Sequence, residues 1–115
     1  MALVQKLGMV IHPVDDLERA IRFYREVLEL PQKFRDGDRF CAFDAGGVTL
    51  ALAAAGERLC DAPAVSLEVA DLDAALRRLE AGGARLLRGP ESGPHERRAL
   101  LADPAGNAFV VYARS

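Results

Sequence analysis

Tryptophan is absent from this 115-residue chain, cysteine occurs twice, and aromatic residues make up only 6% of it. Cys41 and Cys60 stand far apart and outside any CxxC spacing, so neither a zinc cluster nor a disulfide framework is expected. No apolar run approaches the roughly 20 residues that a membrane-crossing helix requires. The opening stretch "MALVQKLGMVIH" lacks the long apolar core of a secretory signal. Charge of one sign is also missing: 15 basic residues face 17 acidic ones, a net charge of −2, which gives no electrostatic reason for a nucleic-acid partner. These absences lead us to expect a protein of the reduced cytoplasm that engages neither membrane nor nucleic acid.

What is present is an ordinary globular composition, 50% hydrophobic and 28% charged, in a chain of single-domain length. Its most informative feature is an internal repeat. "MVIHPVDDLERAIRFYREVLEL" begins at Met9 and "AVSLEVADLDAALRRLEAGG" at Ala64. Setting Val14-Asp15-Asp16-Leu17 against Val69-Ala70-Asp71-Leu72 aligns a strand and a helix in each half. Asp15 with Glu18 has capping-box spacing for the first helix, and Asp71 can cap the second. Leu17, Ile21, Tyr24 and Leu28, widened by Ala20 and Val27, form the apolar stripe of the first helix, which Pro31 stops. Leu72, Ala75, Leu76 and Leu79 mark the second, which ends at Gly82-Gly83. Each helix is followed by strand signals. "RFCAFDAGGVTLALAA" reads as a hairpin turning at Asp44–Gly47, and "RRALLADPAGNAFVVYA" as one turning at "DPAGN". The order β-α-β-β-β thus occurs twice, in modules of about 5–57 and about 62–114 joined by Asp61-Ala62-Pro63, within one domain spanning residues 1–115.

Both modules, the "DLERAIRFYREVLEL" helix and the "DPAGN" hairpin resemble the vicinal oxygen chelate superfamily. Its members include glyoxalase I, extradiol dioxygenases, methylmalonyl-CoA epimerase and the bleomycin and fosfomycin resistance proteins. The resemblance covers nearly the whole chain. It implies an α+β fold in which two tandem βαβββ modules form curved mixed sheets around a cleft, commonly in homodimers. It also implies a divalent metal held on cleft-facing strands in the enzymes.

Strand alternation, read through the repeat, assigns the faces. Val65, Leu67 and Val69 are uniformly apolar and should lie beneath their helix, leaving Ala64, Ser66 and Glu68 on the cleft side. By alignment His12 matches Leu67 and belongs to the helix side, whereas Met9 and Ile11 face the cleft. The positions that the resemblance assigns to metal ligands are Met9, Ala51, Ala64 and Val111. None offers the carboxylate, imidazole or amide oxygen that a hard divalent cation takes, so no metal and no other cofactor is expected.

The expected cleft lining is Met9, Ile11, Phe40, Thr49, Ala51, Ala64, Ser66, Glu68, Arg97, Phe109 and Val111. An apolar concavity with a few polar anchors suits a small molecule. Glu68 and Arg97 read equally as ligand anchors or as a solvated pair at a strand end. Met9, Phe40 and Phe109 read more readily as core than as recognition surface, His95 as a solvated loop residue, and Cys41 as a small core residue. No nucleophile–base pair, phosphate loop or paired carboxylate stands out. The leading expectation is a metal-free, non-catalytic small-molecule-binding homodimer similar to the bleomycin resistance proteins. The alternatives are a glyoxalase-like lyase or isomerase, or a dioxygenase-like enzyme, with a non-standard metal site or with Glu68 or His95 as acid–base group. A structural dimer whose cleft is filled by its own side chains is the third reading.

Overall fold

Asp16 opens the first helix. Its carboxylate accepts a hydrogen bond from the Arg19 backbone N–H at 3.1 Å, satisfying one of the donors that a helix N-terminus leaves unpaired. The capping box expected from Asp15 and Glu18 does not form. In the repeat Asp16 is the residue aligned with Asp71, which caps its own helix in the same way through Ala74. Asp15 pairs with Arg58 at 3.3 Å and Glu18 with Arg35 at 3.0 Å instead.

The computed structural model describes residues 2–93 and 95–114. The elements are β1 (Val4–Pro13), α1 (Leu17–Arg22) running into a π-helical turn (Phe23–Val27), β2 (Gln32–Asp36), β3 (Phe40–Asp44), β4 (Thr49–Ala53), β5 (Ala64–Val69), α2 (Leu72–Ala81), β6 (Arg85–Ser92), β7 (Glu96–Ala102) and β8 (Ala108–Arg114). The architecture is therefore α+β with the βαβββ order twice over. Two compact units are distinguished, Met9–Pro63 and Met1–Gly8 with Ala64–Ser115, and the division falls inside β1. Among the described residues no helix is long and apolar enough to cross a membrane.

In the first unit, Met9–Pro63, the sheet order is β2-β3-β4-β1, with β1 parallel to β4 and the other neighbours antiparallel. The β3–β4 turn is fixed by the Asp44 carboxylate, which accepts from the Gly47 N–H at 2.9 Å, where a positive φ of 96° suits glycine. Leu17 and Ile21 of α1 bury against Cys41, Phe43, Leu52 and Ala54. The expected stripe does not continue to the helix end. The π-turn, with Leu28 N–H bonded to the Phe23 carbonyl five residues back, rotates the later side chains out of register. Val27 and Leu28 are 64% and 49% exposed, and Leu30 reaches the core in their place.

In the second unit the order is β5-β8-β7-β6, with β5 parallel to β8. The Asp103 carboxylate ties the β7–β8 turn by accepting from the backbone N–H groups of Ala105 and Asn107 and from the Asn107 amide. Those bonds hold it below the ordinary carboxylate range, the Asn107 backbone N–H contributing most. Leu72, Ala75 and Leu76 of α2 bury against Val69, Ala99, Leu101, Val111 and Ala113, with Leu3 and Val4 packed alongside.

Candidate functional site

The core clusters define which face of each strand its helix covers, and alternation then defines the helix-free face. In the second unit the partners Val65–Phe109 and Leu67–Val111 lie in the rows that α2 covers. Ser66–Val110 and Glu68–Tyr112 lie in the rows facing away, with Ala64.

That helix-free face carries a buried polar centre. Glu68 Oε1 accepts a hydrogen bond from the Tyr112 hydroxyl at 3.1 Å and another from Arg114 Nε at 3.1 Å. The Glu68 side chain is only 14% exposed, Tyr112 7% and Ser66 4%, whereas the Arg114 side chain is 68% exposed. Burial first, and then the bond to the Glu68 carboxylate and its charge, push the Tyr112 hydroxyl up to about 12, with Arg114 opposing. At neutral pH this phenol is a committed donor. Gly8 makes room for it: a Cβ there would lie 2.8 Å from Tyr112 Cζ and 2.9 Å from Cε1, and closer still to the hydroxyl. The polar row continues into β6 and β7, where Glu91 lies 3.3 Å from Arg88 and 3.8 Å from Arg98.

The expected lining of the second unit divides. Ala64, Ser66 and Glu68 lie on the helix-free face as anticipated. Arg97, Phe109 and Val111 do not: Phe109 and Val111 pack into the α2 cluster, and Arg97 is the strand partner of buried Ala113. The hairpin register about "DPAGN" was legible, with Leu101 opposite Phe109 and Ala99 opposite Val111. Its face was inverted, because Ala99, Leu101, Phe109 and Val111 are as apolar as Leu100 and Val110 on the other side. A Glu68–Arg97 pair is accordingly excluded, and Arg97 reaches Asp73 of α2 at 3.2 and 3.4 Å. A shallow depression of about 370 Å³ at the start of α2 is bounded by Asp71, Arg97 and Arg114, but Asp71 is engaged as the helix cap and Arg97 with Asp73.

In the first unit Met9, Ile11, Phe40, Thr49 and Ala51 all lie on the face away from α1. Met9 pairs with Thr49, Ile11 with Ala51, and Phe40 stacks on Phe34 with ring centroids 5.7 Å apart. Lys33 donates to the Thr49 hydroxyl at 2.8 Å. His12 lies on the opposite side, under the helix, where Nδ1 and the Tyr24 hydroxyl are 3.0 Å apart. Cys41 is fully buried in the α1 cluster, and burial raises its thiol above the ordinary range. His95 is exposed between β6 and β7.

Sequence reasoning missed Gly8, Tyr112 and Arg114 in one unit and Lys33 and Phe34 in the other. The strand period that placed Glu68 would have found Tyr112 and Arg114 had the last strand been faced correctly. Nothing in the sequence signals the Gly8–Tyr112 approach, which joins residues far apart along the chain.

The profile of the Glyoxalase/Bleomycin resistance protein/Dioxygenase superfamily matches residues 6–111. The chain belongs to that superfamily. A relative in Mycolicibacterium smegmatis (strain ATCC 700084 / mc(2)155), an uncharacterized protein, is 42% identical over 109 residues, covering 94% of this chain and 93% of its own. Among solved structures, methylmalonyl-CoA epimerase from Mycobacterium tuberculosis is 23% identical at a TM-score of 0.73, covering 100% of this chain and 91% of the epimerase. NAD-dependent benzaldehyde dehydrogenase from Legionella pneumophila has a TM-score of 0.78 at 17% identity, covering 93% and 98%. A superfamily member from Vibrio splendidus 12B01 has a TM-score of 0.70 at 19% identity, covering 94% and 99%. These structural likenesses concern the fold.

The family resemblance implies a divalent metal on these strands in the enzymes, and the residues at the implied positions here do not fit one. Met9 and Ala51 on the first unit's helix-free face, and Ala64 on the second's, carry no hard donor. Val111 lies under α2, and the β8 residue on Ala64's face is Val110, equally without a donor. Among the described residues no group of three or more His, Cys, Asp or Glu side chains is placed to hold a metal ion.

Proposed function

We propose that this chain is a metal-independent small-molecule-binding member of the superfamily, of the drug- or metabolite-sequestering kind. The observation that supports it most is the Glu68–Tyr112–Arg114 centre. A largely buried carboxylate on a helix-free sheet face, with small Ser66 and the hydrocarbon of Val110 beside it, offers a ligand one fixed polar anchor next to apolar surface. The same strand rows supply no metal donor at the family's ligand positions, so the Lewis-acid chemistry of the metalloenzymes has no support in these side chains. The family resemblance adds assembly as a homodimer to this reading, and the two isolated cysteines add a reduced, cytoplasmic setting.

Elemental analysis of protein purified without chelator, combined with a thermal-shift screen of metabolites and glycopeptide drugs, tests it. A compound at one hundred times its Kd stabilises by about 2.7 kcal/mol, which raises Tm by on the order of 10 °C in a domain of this size. We expect such a hit in metal-free protein. Stoichiometric nickel, zinc, iron or manganese would overturn the proposal in favour of a lyase, isomerase or dioxygenase with a displaced metal site. A screen in which no compound stabilises the protein would favour a structural role.

A further inference from the structure

We propose that the helix-free face of the second unit selects ligands carrying a protonated amine, which Glu68 receives through its second carboxylate oxygen. This rests on the small-molecule reading above and goes on to name the ligand's chemistry.

An ionised carboxylate is acceptor-only, with about four lone-pair sites on two oxygens. In Glu68 both internal donors, the Tyr112 hydroxyl and Arg114 Nε, converge on Oε1. Oε2 receives no hydrogen bond from the described residues. A carboxylate this far removed from water gains most when its remaining capacity is met by a charged donor, because charge-assisted hydrogen bonds are roughly twice as strong as neutral ones. The group is also held still. Parallel pairing sets Glu68 opposite Tyr112, Tyr112 is buried, and the absence of a side chain at Gly8 makes room for the phenol.

Arg114 is the cation bonded to Glu68, and it is a weak competitor. Its side chain is 68% exposed and gives Glu68 a single N–H, and an ion pair with one partner that exposed contributes little. An incoming ammonium can share the carboxylate with it or displace it. Tyr112 is different in kind, since a buried neutral donor cannot leave without orphaning its hydroxyl. On the same face the residues next to Glu68 are small Ser66 and the hydrocarbon of Val110, so the amine should sit on a compact, largely apolar body. Benzylamine has that form.

The test is titration of the full chain with benzylamine, benzyl alcohol and benzoate, three probes of one skeleton with different head groups. Wild type should bind benzylamine at least about tenfold more tightly than benzyl alcohol, and benzoate least. Glu68→Gln should abolish the amine preference while leaving affinity for the alcohol. Arg114→Gln, which removes the competing cation, should tighten benzylamine severalfold, and it keeps the proposal testable should Glu68→Gln fold poorly. Equal binding of all three probes, preference for benzoate, an amine preference that survives Glu68→Gln, or weaker amine binding in Arg114→Gln each overturns the proposal while leaving small-molecule binding standing. If none of the three binds, the amine proposal falls, and the broad thermal-shift screen then decides the wider reading.

Discussion

Gly8→Ala should destabilise the protein by far more than a glycine-to-alanine change in a strand ordinarily would. Alanine's methyl would lie 2.8 and 2.9 Å from two Tyr112 ring carbons and nearer still to the hydroxyl, so the ring must move. Tyr112 is 7% exposed, so neighbouring groups must shift with it. Its displacement forfeits the hydrogen bond to the Glu68 carboxylate, worth about 1.5–3 kcal/mol for a charged acceptor. Overpacking adds about 1–3 kcal/mol. The entropy that alanine removes from the unfolded chain returns at most about 1 kcal/mol. The net expectation is a loss of roughly 2–5 kcal/mol, read in urea as a midpoint lowered by more than about 1 M. Tyr112→Phe is the control, because it removes the hydroxyl that makes the closest approach and has already lost the bond. Gly8→Ala added to that variant should cost at least about 1 kcal/mol less than it does in wild type. An unchanged midpoint, or strict additivity of the two substitutions, refutes the close-packing argument.

Two further expectations concern titration and the first unit. The Tyr112 hydroxyl is raised from 10 to about 12 in the folded protein, so the folded state holds its proton more tightly than the unfolded chain. Stability on the order of 2–3 kcal/mol is therefore fully present below pH 10 and lost as pH rises through 12; Tyr112→Phe should flatten wild type's decline over that window. His12 and Tyr24, hydrogen-bonded at 3.0 Å, occupy the repeat positions held by Leu67 and Leu79 in the other half. Tyr24→Phe should cost about 1–3 kcal/mol by orphaning a half-buried imidazole nitrogen, whereas the double change His12→Leu with Tyr24→Leu should cost less than its two single changes together, as denaturant midpoints will report.

Most of the fold could be read from the sequence because its signals are local. The repeat places two capped helices, and "DPAGN" and "DAGG" place two turns, each enforced by an aspartate within a few residues. The π-turn was invisible, since the 3.6-residue stripe of Leu17, Ile21, Tyr24 and Leu28 continues in the sequence through the point where the backbone departs from it. Faces were legible where one side of a strand was polar. Ser66 and Glu68 declare their side by contrast with Val65, Leu67 and Val69. On the last strand Phe109, Val110 and Val111 offer no such contrast, and the site followed the wrong row. Tyr112 is then the consequence of that inversion, and Gly8 a consequence of Tyr112.

Methyl correlation spectra of the protein, titrated in the presence of chelator with the strongest compound from the thermal-shift screen, report which sheet face of the second unit receives the ligand. Ala64 and Val110 lie on the helix-free face of the second unit, and Val69 and Val111 lie under α2. The Ala64 and Val110 methyl signals should move with the bound fraction while those of Val69 and Val111 stay nearly still. Movement confined to Val69 and Val111, or binding that appears only when a divalent metal is supplied, would contradict the account.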